Sequence, residues 1–122
     1  MTPFPPSDQV QFLLQGDAWI TQVIINSYGV SFVFANGCQV DASAAISYTD
    51  EHGVETIHDR EWFDERAIFF HRLLETPLHG VVTDGLAMTL TFEGGRRLIV
   101  YSDLQPYEAG AVLGPNNTGF YF

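Results

Sequence analysis

The sequence predicts an α+β fold: antiparallel hairpins in one curved sheet or partly open barrel, with one long helix packed on a face. Three observations carry this. Apolar residues alternate with polar ones through Val30-Ser31-Phe32-Val33-Phe34 and again through Met88-Thr89-Leu90-Thr91-Phe92, the period of two that marks half-buried strands. Each run meets a glycine-bearing turn and a second alternating run, Val40 to Ala42 and Leu98 to Val100, at a constant offset of 58. Between the copies, Phe63, Ala67, Phe70 and Leu74 fall at the spacing of an apolar helical stripe.

The paired runs read as hairpins. Asn36-Gly37 invites a two-residue turn. That turn would set Phe34 opposite Gln39 and Phe32 opposite Asp41, carrying polar groups onto the core face. A loop of three or five residues centred on Gly37 instead pairs Phe34 with Val40 and Phe32 with Ala42. Centred on Gly95, it pairs Phe92 with Leu98 and Leu90 with Val100. The repeat extends upstream, where Leu14-Gln15-Gly16 resembles Leu78-His79-Gly80 and each glycine precedes an apolar strand candidate. Repeat one then covers about 14–49 and repeat two about 78–109, within one domain of residues 1–122.

The helix is expected over about 60–75. Asp59 stands at its cap, acids fill its first turns and Pro77 ends it. A shorter helix is expected over about Asp8 to Leu14, capped by Ser7. Ile46 to Thr49 and Val54 to Ile57 alternate as a further hairpin. The closing Gly119-Phe120-Tyr121-Phe122 calls for a last strand or a docked tail, because three aromatics are unfavourable in water.

Composition bounds the function. The chain has 122 residues, 46% of them hydrophobic and ten of them Phe, enough for one core. There is no apolar run of the length that spans a bilayer. The start, MTPFPPSDQ, has no basic or apolar signal region, so a cytoplasmic location is expected. Fifteen acids stand against five arginines and no lysine, a net charge of −10. That excess disfavours nucleic acid and anionic membranes as partners and suits a basic protein.

Catalytic signatures are absent. The lone Cys38 allows no intrachain disulfide and reads as an inert, partly buried thiol. His52, His58, His71 and His79 show no zinc spacing. His58 with Asp59 and Glu61 could supply ligands, but a capped helix start explains them more simply. There is no nucleophile elbow, Walker motif or dinucleotide fingerprint, and no cofactor is expected. The unusual stretch is 50–65, DEHGVETIHDREWFDE, with seven acids against one arginine. Asp50, Glu51, Glu55, Asp59, Glu61, Asp64 and Glu65 are therefore the candidate partner-binding residues.

The pattern Leu90-x-Phe92-x-x-Gly95-x-x-Leu98-x-Val100, followed by Tyr101-Ser102-Asp103 and Tyr107-Glu108, resembles small bacterial proteins built from two hairpin repeats. Some of those resemble immunity proteins that neutralise toxins delivered between competing bacteria. The resemblance implies a non-enzymatic protein-binding domain, an inhibitor of a basic toxin, and it carries no catalytic residue. Two other readings stand beside it. One is an enzyme or small-ligand binder with a pocket between helix and sheet. The other is a homodimer joined through an unpaired hairpin edge.

Overall fold

The computed structural model describes residues 3–26, 29–58, 69–102, 110–114 and 118–122. Ten strands run through them: β1 (Ile20–Asn26), β2 (Gly29–Phe34), β3 (Gln39–Ala42), β4 (Ile46–Thr49), β5 (Glu55–His58), β6 (Leu78–Asp84), β7 (Ala87–Phe92), β8 (Arg97–Tyr101), β9 (Gly110–Leu113) and β10 (Gly119–Tyr121). They form two five-stranded antiparallel sheets, ordered β1-β2-β3-β9-β10 and β5-β4-β8-β7-β6. The expected α+β architecture, a single sheet or partly open barrel under a long helix, is therefore wrong: the fold is largely β, in two sheets.

The strand positions correspond between two stretches of the chain over a longer span than the sequence pattern covers. Strands β1–β3 match β6–β8 at an offset of 58, and β4–β5 match β9–β10 at an offset of 64. Each half is thus a three-stranded meander followed by a hairpin. The hairpin does not stay with its own meander: β4–β5 joins β8, and β9–β10 joins β3. The two halves exchange their last two strands. The proposed match of Leu14-Gln15-Gly16 to Leu78-His79-Gly80 fails. Leu78 matches Ile20, since both pair with the last phenylalanine of the next strand, Phe92 and Phe34, and both precede a bulge.

The hairpin loops are odd-numbered, as the alternation requires, but the register sits one pair inward. Phe32 faces Val40 and Val30 faces Ala42, while Leu90 faces Leu98 and Met88 faces Val100. A two-residue shift preserves the faces, so the apolar set still points inward. The loops are Ala35–Gly37 and Glu93–Gly95, closed by Phe34 N–H to Cys38 O at 2.9 Å and Phe92 N–H to Arg96 O at 2.8 Å. Gly37 and Gly95 take φ of 89° and 84°, the left-handed position that closes a three-residue hairpin loop. Asn36, not Gly37, is the loop centre. Its Oδ1 accepts the Cys38 N–H at 3.0 Å, and its Nδ2 donates to Leu13 O at 3.0 Å and Gln15 O at 2.8 Å. Asn36→Ala is expected to lower the urea midpoint by an amount equivalent to about 1–3 kcal/mol, because it strands these groups.

The helix expected over 60–75 is absent from its described part; residues 59–68 lie outside the described residues. Phe70–Leu73 is a 3-10 turn, Leu74 forms a parallel bridge with Ile20, and Glu75 N–H bonds Ile20 O at 2.8 Å. Phe70 and Leu73 are fully buried and three apart, whereas Leu74, expected on the apolar stripe, is 39% exposed. A three-residue period and the offered edge of β1 outcompete the helix here. The expected helix over 8–14 is likewise two 3-10 turns, Ser7–Gln9 and Gln11–Leu14, with no side-chain cap. Ser7 Oγ instead accepts the Thr83 N–H at 2.9 Å.

Both inner faces meet in one core that includes Phe32, Phe34 and Val40 from the first sheet and Ile46, Leu90 and Leu98 from the second. Phe70 sits edge-on to Phe32 at 5.5 Å. Of the last strand and the docked tail left open by the sequence, Gly119–Tyr121 forms the strand, and Phe122 beyond it is fully buried against Phe4 at 4.5 Å.

Candidate protein-binding surfaces

Three of the acidic candidates fall in the β4–β5 hairpin. Asp50 opens its turn: one carboxylate oxygen accepts the N–H groups of His52 and Val54, both at 2.9 Å. The Val54 N–H, aided by that of His52, holds the Asp50 carboxyl below its ordinary value. Glu51 reaches Arg96 on the β7–β8 turn at 3.1 Å and lies 3.6 Å from His52. Its own backbone N–H and then Arg96 lower its pKa. Arg96 also donates to Arg72 O at 2.7 Å, tying the two hairpin turns to the 70–73 turn. Glu55 lies on the outer face of β5, where the buried Ser47 hydroxyl donates to it at 2.7 Å. Asp59, Glu61, Asp64 and Glu65 lie outside the described residues.

Asp50 thus has a turn to hold as well as a charge to present. Its depressed pKa stabilises the fold above the unfolded carboxyl value, and that contribution is lost as pH falls through the folded value. Asp50→Asn keeps an oxygen acceptor but cannot titrate. Melting temperatures of wild type and variant are expected to converge as pH drops below about 4; a gap that widens on acidification would refute the assignment.

Below this hairpin lies a polar fragment of core. Tyr48 is 3% exposed and His58 1% exposed, and both rings pack edge-on to Phe70, at 6.2 and 5.2 Å. Their counterparts at offset 64 are Val112 and Phe122, so the two halves differ here in polarity. Burial raises the pKa of Tyr48. Cys38 is 1% exposed, and burial pushes its thiol up as well, as suits an inert side chain. Among the described residues no group of three or more His, Cys, Asp or Glu is placed to hold a metal ion.

The clefts lie elsewhere than between a helix and a sheet. One, of about 250 Å³, sits at the end of the first sheet beside Asn26, Ser31, Asp41, Ser43 and Gly110. Another, of about 370 Å³, follows the β9–β10 hairpin past Leu113, Thr118 and Tyr121.

Sequence reasoning did not single out the β1 edge. The run Thr21 to Asn26 carries no charge and no proline, and that is the signal that could have marked it. Ile24 is 45% exposed and Ile25 53% exposed. Its counterpart β6 is screened by the N-terminal segment. Phe4 N–H donates to Gly85 O at 2.9 Å, Thr83 Oγ1 to Pro5 O at 2.6 Å and Gln11 Nε2 to Val81 O at 3.0 Å.

The architecture is therefore a largely β protein of two five-stranded antiparallel sheets. No protein family, curated protein or solved structure matches the chain. Among the described residues no helix is long and apolar enough to cross a membrane.

Proposed function

We propose that the chain is a non-enzymatic protein-binding domain of the cytoplasm, an immunity-type inhibitor whose partner is a basic toxin. The observation that carries this is an acidic surface with little internal compensation. Fifteen carboxylates face five arginines, and among the described residues Glu51 is the only carboxylate in an ion pair with an arginine. A field of that sign speeds encounter with a cationic protein and repels nucleic acid and anionic membrane. The Asp50–Glu55 hairpin presents part of it.

The small-ligand alternative has two clefts. The one beside Asp41, Ser31 and Ser43, at about 250 Å³, falls below the roughly 300–1,000 Å³ of most ligand sites. The one along the β9–β10 hairpin, at about 370 Å³, lies at the lower end of that range.

The test is capture of partners from the native lysate at low and high salt, by wild type and by the triple variant Asp50→Asn, Glu51→Gln, Glu55→Gln. A basic protein held at low salt, released at high salt and bound at least about tenfold more weakly by the variant is the expected result. Salt-independent capture of a neutral or acidic protein would sink the reading.

A further inference from the structure

Among the described residues β1 is an edge strand, and that edge has the features of a strand acceptor. On one side β1 pairs with β2. On the other, at its start, Ile20 O accepts the Glu75 N–H at 2.8 Å and Ile20 bridges Leu74. The direction of the remaining groups follows from β2. Phe34 N–H points to Cys38 O, so alternation turns the backbone of Phe34, Phe32 and Val30 toward β3 and that of Val33 and Ser31 toward β1. Val23 and Ile25, which face Phe32 and Val30, therefore direct their N–H and C=O groups outward, away from β2.

The fold itself shows what suits this edge. On β6, the counterpart of β1, the N-terminal segment from Phe4 to Gln11, part of it in 3-10 turns, caps the outer groups of Val81, Thr83 and Gly85 with one backbone and several side-chain hydrogen bonds. Edge strands are commonly protected by charge, proline or a covering segment. From Thr21 to Asn26, β1 has neither charge nor proline, and among the described residues no strand pairs with it on the side away from β2.

Charge selects the occupant. Asp17 and Glu75 flank the start of β1, and Asp41 lies on the outer face two strands in, through the row Ile24, Ser31, Asp41. That is about 10 Å from Ile24 by strand spacing. A second copy would bring a net charge of −10 against −10, whereas a cationic segment meets a complementary field. Resting on the charge-based reading above, we propose that β1 takes an extended, lysine- or arginine-bearing segment of the partner protein as a sixth strand of the first sheet. Main-chain bonds at Val23 and Ile25 would give affinity, and Ile24 would contact one face of the added strand.

The probe is a ten-residue peptide of alternating lysine and valine, blocked at both ends. Its control carries N-methyl groups on every residue, which keep the charge but remove the main-chain donors along both edges. With the first peptide, hydrogen exchange at the Val23 and Ile25 amides is expected to slow at least about tenfold, and the N-methylated peptide is expected to bind at least about tenfold more weakly. Ile25→Pro, which removes an outward donor, and Ile24→Lys, which leaves the backbone intact, are each expected to weaken binding of the first peptide, with folding checked by thermal melts. Equal binding by the two peptides, or binding without protection at β1, overturns strand addition and leaves the charge-driven reading standing. No binding by either peptide at low salt overturns both.

Discussion

Replacing Phe70 by alanine is expected to lower the unfolding free energy by about 3–5 kcal/mol, while Leu74→Ala lowers it by under about 1 kcal/mol. The contrast follows from packing. Phe70 is fully buried, edge-on to Phe32, Tyr48 and His58, whereas Leu74 is 39% exposed on the approach to β1. A helix carrying Phe70 and Leu74 on one apolar stripe would make the two losses similar. Urea unfolding of both variants decides it, and equal midpoint shifts would return the segment to the helical reading. The phenyl ring also fills the space between the sheets that Tyr48 and His58 leave polar. Its removal exposes those groups to a cavity, which places the effect toward the upper end of the range.

The same segment shows what the sequence could and could not convey. Phe70 and Leu73 are compatible with a helix or a 3-10 turn, because i and i+3 share a face in both. What decides between them is the edge of β1, more than forty residues earlier in the chain, which bonds Glu75 and bridges Leu74. Alternation was legible wherever one face is buried: Val30, Phe32 and Phe34 point inward, as do Met88, Leu90 and Phe92. The hairpin of β4 and β5 and the last strand at 119–121 were legible for the same reason. Alternation states which face is buried, however, and not which neighbour pairs. The departure of β4 from β3 to β8 left no mark in the local pattern. In the first loop Asn36 holds this register from the loop centre, donating to the distant carbonyls of Leu13 and Gln15 and accepting the Cys38 N–H. The second loop takes the same register with Gly94 at its centre and Gly94 and Gly95 both at positive φ.

The acidic stretch was legible as charge and not as geometry. Asp50 reads in sequence as one acid among seven, yet in the fold it caps a turn by accepting two backbone N–H groups. The partner of Glu51 is Arg96, 45 residues away, a distance that no spacing rule reaches. The binding reading therefore rests on the sum of the charges. The edge of β1 adds a place where main-chain recognition can convert encounter into affinity.

Phe122→Ala is the second substitution expected to be severe, at about 3–5 kcal/mol, and its reach matters more than its size. Phe122 is fully buried, and it bonds Gly110 reciprocally through the backbone at 3.1 Å. Its ring packs on Phe4 at 4.5 Å. It belongs to the second repeat by sequence, yet the sheet it closes is built mainly from the first, through β9 on β3. Exchange of the hairpins makes each sheet depend on both repeats, so neither half has a complete sheet of its own. Native-state hydrogen exchange is expected to show β2–β3 and β7–β8 losing protection together in this variant, as one cooperative unit. Tyr121→Ala, at a position 64% exposed, is the matched control and is expected to change stability by under about 1 kcal/mol. If β7–β8 lost protection while β2–β3 kept its wild-type value, the halves would be folding separately, and the exchanged architecture would not be what holds the core together.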